Sequence, residues 1–173
     1  MLWVKTFFGI LFQTILLGIF LYLPALTLNW SDAFLLLTIH FLMTILASAY
    51  LLIVKPESIE ARMNYDSKTQ PKEDRLATAL MFSAIFVGLS LAPIDIFHLN
   101  LSSSFEGSIK NIGLAIYIIG MLLFMASINA NEFAETTVNI QEERGQKVID
   151  TGIYSIVRHP MYTGFIFFIT GVN

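Results

Sequence analysis

The sequence predicts an all-α integral membrane protein, with four transmembrane helices, the start of a fifth, and a polar membrane-proximal segment between the fourth and fifth. Three observations carry this. Of 173 residues, 55% are hydrophobic and 13% charged, against roughly 45–50% and about 25% in soluble globular domains. Four stretches each supply the ~20 consecutive apolar residues that cross about 30 Å of hydrocarbon. The basic residues fall on alternate connections between those stretches. A net charge of −3 offers no clustered basic surface for nucleic acid. With no cysteine in the chain, disulfides, thiolate catalysis and Cys-based zinc sites are excluded, and no metal site is expected.

The first helix is expected over about 7–28. It carries no charge, is too long for the core of a signal peptide, and is followed by no small-residue cleavage site. Pro24, in its last turn, is expected to kink it. Asn29-Trp30-Ser31-Asp32 is a tight turn in which Ser31 or Asp32 can cap the next helix and Trp30 suits the lipid–water interface. The second helix, 33–54, is uncharged and contains His40. An intramembrane His is by default a functional hypothesis. A neutral imidazole can also satisfy itself on a neighbouring helix, and with no second ionisable group beside it the packing reading is preferred. Lys55 to Arg75 reads as a solvated loop with short amphipathic turns.

The third helix is expected over 76–97, with Pro93 and Asp95 near its end. A polar loop containing Ser102-Ser103-Ser104 follows. The fourth helix spans 109–130, with Lys110 near enough to its end to snorkel. Gly113 and Gly120, seven residues apart on one face, allow close helix packing. The chain therefore divides into a transmembrane region, 1–130, and a segment, 131–173, that is polar to Tyr162 and apolar from Thr163. The final apolar run covers about half a membrane crossing, from which an incomplete chain or an unusually short relative is expected. Nine of the ten Lys and Arg residues lie at Lys5, between Lys55 and Arg75, or after Ala130. By the positive-inside rule, the N-terminus and the polar segment are cytoplasmic.

The chemistry-bearing residues concentrate in that polar segment. Gly145 and Gly152 permit backbone shapes that other residues resist. Arg158-His159-Pro160 reads in two ways. Arg158 and His159 are interfacial anchors with Pro160 opening a helix at its first turn. Alternatively, Arg158 holds a carboxylate or phosphate, His159 relays a proton, and Tyr154 and Tyr162 offer ring faces to a cation.

Gln141…Gly145…Val148-Ile149…Gly152-Ile153-Tyr154…Val157-Arg158-His159-Pro160-Met161-Tyr162-Thr163-Gly164 resembles the signature of the isoprenylcysteine carboxyl methyltransferase family. The bacterial branch is the nearer form, and phospholipid methyltransferases share a looser one. Asn129-x-Asn131-x-Phe133 and the Lys55-Pro56-Glu57…Glu60-x-Arg62…Asp74-Arg75-Leu76 stretch resemble the bacterial branch as well. The resemblance implies a membrane-bound S-adenosylmethionine-dependent methyltransferase that binds its cofactor on the cytosolic side. The acceptor would be lipid-like, prenylated or small, presenting a carboxylate, thiol or amine. The cofactor-lining positions it implies are Gln141, Gln146, Lys147, Val148, Ile149, Tyr154, His159, Pro160, Met161 and Tyr162. His159 is the candidate base for an amine acceptor, and Arg158 the candidate for a substrate anion. Family members continue to a further pass bearing an Arg and paired Glu residues, which this sequence does not contain. Two other readings stay open. One is a sterol-type membrane reductase, whose NADPH-binding region shows a similar Arg-His-x-x-Tyr-x-Gly pattern. The other is a non-catalytic small membrane protein that keeps the pattern as structure.

Overall fold

Hydrocarbon offers a backbone no hydrogen-bonding partner, so an apolar chain in a bilayer satisfies its amides within helices. The computed structural model follows this rule. It describes residues 1–63, 72–101, 107–131, 133 and 148–172, with backbone alone at 72–74. Six helices are present among them: α1 (Leu2–Ala25), α2 (Ser31–Val54), α3 (Pro56–Met63), α4 (Lys72–Ile94), α5 (Ser108–Ala130) and α6 (Pro160–Val172). A π-helical turn, Asp95–Leu99, extends α4, and a 3₁₀ turn, Gly152–Ser155, precedes α6. α1, α2, α4 with its extension and α5 are each long and apolar enough to cross a membrane.

Helix ends differ from the sequence expectation where backbone closure overrides composition. α1 stops at Ala25 because Leu26 takes a left-handed conformation (φ 54°) and turns its N–H back onto the Tyr22 and Leu23 carbonyls. Residues 26–28 thus leave the helix despite being apolar. Pro24 leaves its own carbonyl at this end, and His98 Nε2 donates to it at 2.7 Å. At the start of α2, the expected caps are not used. Ser31 is already helical, and the preceding extended residue is Trp30, without a side-chain cap bond. Asp32 instead accepts from Lys110 Nζ at 2.7 Å, joining the starts of α2 and α5. Trp30 packs edge-on against Tyr22 and Phe97, and its carbonyl accepts from the Tyr22 hydroxyl.

The first part of the connection after α2, expected to be a loop, is the helix α3. Pro56 at its first position, Glu57 in the first turn and Arg62 in the last follow the usual start and dipole preferences. Ser58 and Ile59 are buried, and Ile59 joins Leu51 and Leu52 in a small cluster with Leu2 and Ile128. This cluster ties the beginning of α1 to the ends of α2 and α5.

The main packing layer is Leu17, Leu21, Ala33 and Leu89, with Phe168 and Val172 of α6 against it. Outward faces carry Phe8, Phe12, Leu23, Leu42, Leu46, Leu80 and Ile112. On a water-soluble monomer such contiguous apolar surface would mark an interface or a liability; here it is the lipid face. α6 is laid against α5 through four small residues. A Cβ at Gly120 would stand 2.6 Å from the Phe168 amide nitrogen and 2.8 Å from the Gly164 carbonyl. A Cβ at Gly113 would stand 3.4 Å from the Gly171 carbonyl oxygen. The pair Gly113 and Gly120 on α5 thus meets Gly164 and Gly171 on α6. Lipid does not drive such association by water release, so close van der Waals approach does it.

His40 is answered within this bundle. Its Nδ1 lies 2.7 Å from the Tyr117 hydroxyl of α5, and both rings pack against Phe168. Tyr117 is fully buried. The preferred packing reading fits this pairing.

Candidate functional site

The site is built where α2, α3, α5 and α6 end or begin together. Pro160 starts α6 with its ring fully buried. Its fixed φ suits a first helical position, and its missing N–H is one that a helix start leaves free anyway. The His159 carbonyl accepts from both the Thr163 amide (3.1 Å) and the Thr163 hydroxyl (3.2 Å). His159 is therefore held by its backbone while its ring stands out. One turn on, the Tyr162 ring lies 5.7 Å away at an interplanar angle of 32°. Tyr162 is 58% exposed and His159 is exposed, so the two rings make one accessible aromatic face.

The 3₁₀ turn leads into this face. Gly152 opens it in the left-handed region (φ 61°), where a Cβ is disfavoured and glycine is the natural occupant. A Cβ there would lie 3.6 Å from Ala130 Cβ, so the turn rests on the last residue of α5. Ser155 Oγ donates to the Gly152 carbonyl at 2.7 Å. Tyr154 is half-buried, and its hydroxyl accepts from Asn131 Nδ2 at 3.4 Å.

Asn131 is a junction. Its Oδ1 accepts from the Phe133 amide at 3.0 Å. Its carbonyl accepts from Arg62 Nη2 at 3.5 Å, and Arg62 Nη1 also donates to Ser58 Oγ at 2.6 Å. Two residues earlier, the Asn129 carbonyl accepts from Lys55 Nζ. The carbonyls at the end of α5 are thus met by cations from the α2–α3 junction and from α3, the charge sign that a helix C-terminus favours.

The residues expected from sequence fall into three groups. Tyr154, His159, Pro160 and Tyr162 lie on the turn and the start of α6, with Met161 half-buried beside them. Val148 is 90% exposed and Ile149 half-buried, while Arg158 is exposed between the turn and α6. Gln141, Gln146 and Lys147 lie outside the described residues. Lys55, Ser58, Arg62, Asn129 and Asn131 join the site although they were not among its expected members. The helix-start and charge signals of Pro56, Glu57 and Arg62 were the available clue for α3. Beside this end, α2 and α5 part to leave a groove of about 320 Å³, lined by Ala47, Tyr50, Leu51, Leu122, Met125, Ala126 and Asn129.

The described residues thus set aromatic and basic side chains near one group of ends of helices long and apolar enough to cross a membrane. Comparison with known proteins is more specific. Residues 109–173 match the family described as phospholipid methyltransferase. Over 66 residues the chain is 36% identical to "Protein-S-isoprenylcysteine O-methyltransferase B" of Arabidopsis thaliana, covering 38% of this chain and 34% of that protein. The chain thus spans about a third of the length of the curated relative it matches. No solved structure matches. Both matches support the family resemblance drawn from Gln141 to Gly164, and both are to methyltransferases.

Proposed function

We propose that this chain supplies the bilayer scaffold and a methyl-donor site of an S-adenosylmethionine-dependent methyltransferase. Its acceptor is lipid-like, prenylated or small, with a carboxylate, thiol or amine as the reacting group. The observation that carries the reading is the exposed His159–Tyr162 ring face, set at the start of α6 within the stretch similar to methyltransferases.

The residues present suit this cofactor. A sulfonium is a cation, and ring faces within about 6 Å of a cation attract it by roughly 0.5–2 kcal/mol. Tyr162 offers such a face, with the His159 ring 5.7 Å from it. Tyr154 keeps its hydroxyl at the Asn131 amide, where it can orient a polar group, and Pro160, Met161, Val148 and Ile149 supply apolar contact. Gln141, Gln146 and Lys147 complete the proposed set from outside the described residues. When bound, S-adenosylmethionine supplies an electrophilic methyl group. The task of the chain is to hold acceptor and methyl in line, an effect worth several kcal/mol in well-oriented systems. A carboxylate or thiolate acceptor needs no base. For an amine acceptor, His159 takes the proton, and Arg158 pairs with a carboxylate or phosphate of the substrate. The distribution of Lys and Arg supports placing the N-terminus and residues 148–162 in the cytoplasm.

Titration calorimetry of the detergent-solubilised protein tests this with S-adenosylhomocysteine and, separately, NADPH. Saturable binding of the first and none of the second is expected. Binding of NADPH alone would transfer the site to a reductase, and binding of neither would leave the ring face without its proposed ligand.

A further inference from the structure

Asn131 closes α5 in an extended conformation (φ −120°, ψ 103°), with its N–H on the Ser127 carbonyl at 2.9 Å. Arg62 Nη2 donates to its own carbonyl, so its backbone is held from both sides. Its side chain bridges two further segments. Oδ1 accepts from the Phe133 amide at 3.0 Å, and Nδ2 donates to the Tyr154 hydroxyl at 3.4 Å. The two ends of an amide are not interchangeable, and these neighbours decide which end lies where. A backbone N–H can only donate, so the atom it meets is oxygen and the opposite atom is the NH₂. An NH₂ can only donate, so the Tyr154 oxygen accepts and its own proton points elsewhere. Among the described residues, Asn131 is the sole hydrogen-bond partner of that hydroxyl. Tyr154 is half-buried, and its amide is fixed on the Thr151 carbonyl at 3.2 Å.

We propose that Asn131 is a positioning residue of the methyl-donor site: it occupies the Tyr154 oxygen as an acceptor and thereby commits the Tyr154 O–H to donate to the bound ligand. A hydroxyl that accepts one hydrogen bond is polarised to donate another more strongly. S-adenosylmethionine offers acceptors at its amino-acid carboxylate and on its nucleoside. The inference rests on the methyl-donor reading for the identity of the ligand. The polarity of the Tyr154 hydroxyl does not depend on it.

Asn131→Asp tests this with little change of shape. The carboxylate still accepts from the Phe133 amide, but it places a second acceptor where the NH₂ stood. Tyr154 must then donate to the protein and is lost to the ligand. Tyr154→Phe removes the hydroxyl itself. In calorimetry with S-adenosylhomocysteine, Asn131→Asp should weaken binding about tenfold more in the presence of Tyr154 than in the Tyr154→Phe background, the size of one hydrogen bond. This comparison cancels any direct effect of the added charge. Equal losses in both backgrounds would overturn the proposal. Repeating it with methylthioadenosine, which lacks the amino-acid end, locates the acceptor: a retained difference places it on the nucleoside, a vanished one on the carboxylate. Asn131→Asp should melt no more than about 4 °C below wild type, the effect of a carboxylate at a helix C-terminus; a larger drop would make Asn131 a structural residue. The hydroxyl is also read without ligand. The Raman doublet of tyrosine separates accepting from donating phenols, and subtracting the Tyr154→Phe spectrum isolates this one. Wild-type protein should show an accepting phenol and Asn131→Asp a donating one, and the same doublet in both would overturn the assignment. Failure of wild-type protein to bind S-adenosylhomocysteine would sink the methyl-donor reading and leave the Raman result to decide the polarity of Tyr154.

Discussion

Replacing Gly120 with alanine tests how closely α6 depends on α5. The added methyl would sit 2.6 Å from the Phe168 amide nitrogen and 2.8 Å from the Gly164 carbonyl oxygen. That is about 0.8 Å inside ordinary van der Waals contact. Both neighbours are backbone, so no side chain can swing away and α6 must move as a body. Overpacking of this kind costs about 1–3 kcal/mol. With backbone at 2.6 Å the cost lies in the upper part of that range, about 2–3 kcal/mol; alanine returns about 1 kcal/mol of helix propensity relative to glycine, leaving a net loss of about 1–2 kcal/mol. For a chain of this size, that lowers the melting temperature by about 3–6 °C, read by thermal unfolding in a mild detergent. Gly9→Ala is the matched control. A Cβ there meets only the mobile end of Met63 at 4.0 Å, so that variant should be neutral or slightly more stable. Because α6 begins with Pro160, the shift in Gly120→Ala should also reach the ring face and weaken S-adenosylhomocysteine binding. A Gly120→Ala protein as stable as Gly9→Ala would refute the close packing of α5 and α6.

Further outcomes follow from the same structure. Tyr162→Ala and His159→Ala should each weaken S-adenosylhomocysteine binding by about tenfold, the equivalent of ~1.4 kcal/mol, in calorimetry; wild-type affinity in both would remove the ring face from the site. In Tyr117→Phe, His40 loses its partner at 2.7 Å, which should cost about 0.6–1.7 kcal/mol. Adding His40→Leu should then cost less than the separate effects predict, since the two groups are coupled, and simple additivity of melting shifts would count against the bond. The native chain has no cysteine, so single-cysteine variants report orientation without background. Ser155→Cys should react with a membrane-impermeant maleimide from the cytoplasmic side, and Asn29→Cys from the opposite side. The reverse pattern would invert the proposed topology.

The spans were legible because hydrocarbon thickness imposes a length threshold that composition alone reveals. Pro160 at the head of α6 was legible for a similar reason, since its φ and missing N–H suit one position. The glycine spacing at 113 and 120 pointed to close packing, but not to Gly164 and Gly171 as the facing pair. α3 was obscured because it has eight residues and buries little of its own surface; its apolar content could not separate it from a loop. The capping expectation at Ser31 and Asp32 failed through a partner 78 residues away, Lys110, which no local pattern encodes. At the candidate site, the adjacency of His159 and Tyr162 follows from helical spacing. The junction of Asn131 with Tyr154, Arg62 and Phe133 depends on three chain segments meeting. It appears only once α5 ends against the Gly152 turn.

A methyl-donor site in the Gly152–Gly164 stretch would take up label from its own cofactor. Irradiating the protein in vesicles with methyl-tritiated S-adenosylmethionine, followed by peptide mapping, addresses it directly. Label is expected within 148–165, competed by S-adenosylhomocysteine and reduced in Tyr162→Ala. Label that is not competed, or that falls only on peptides outside this stretch, would contradict it.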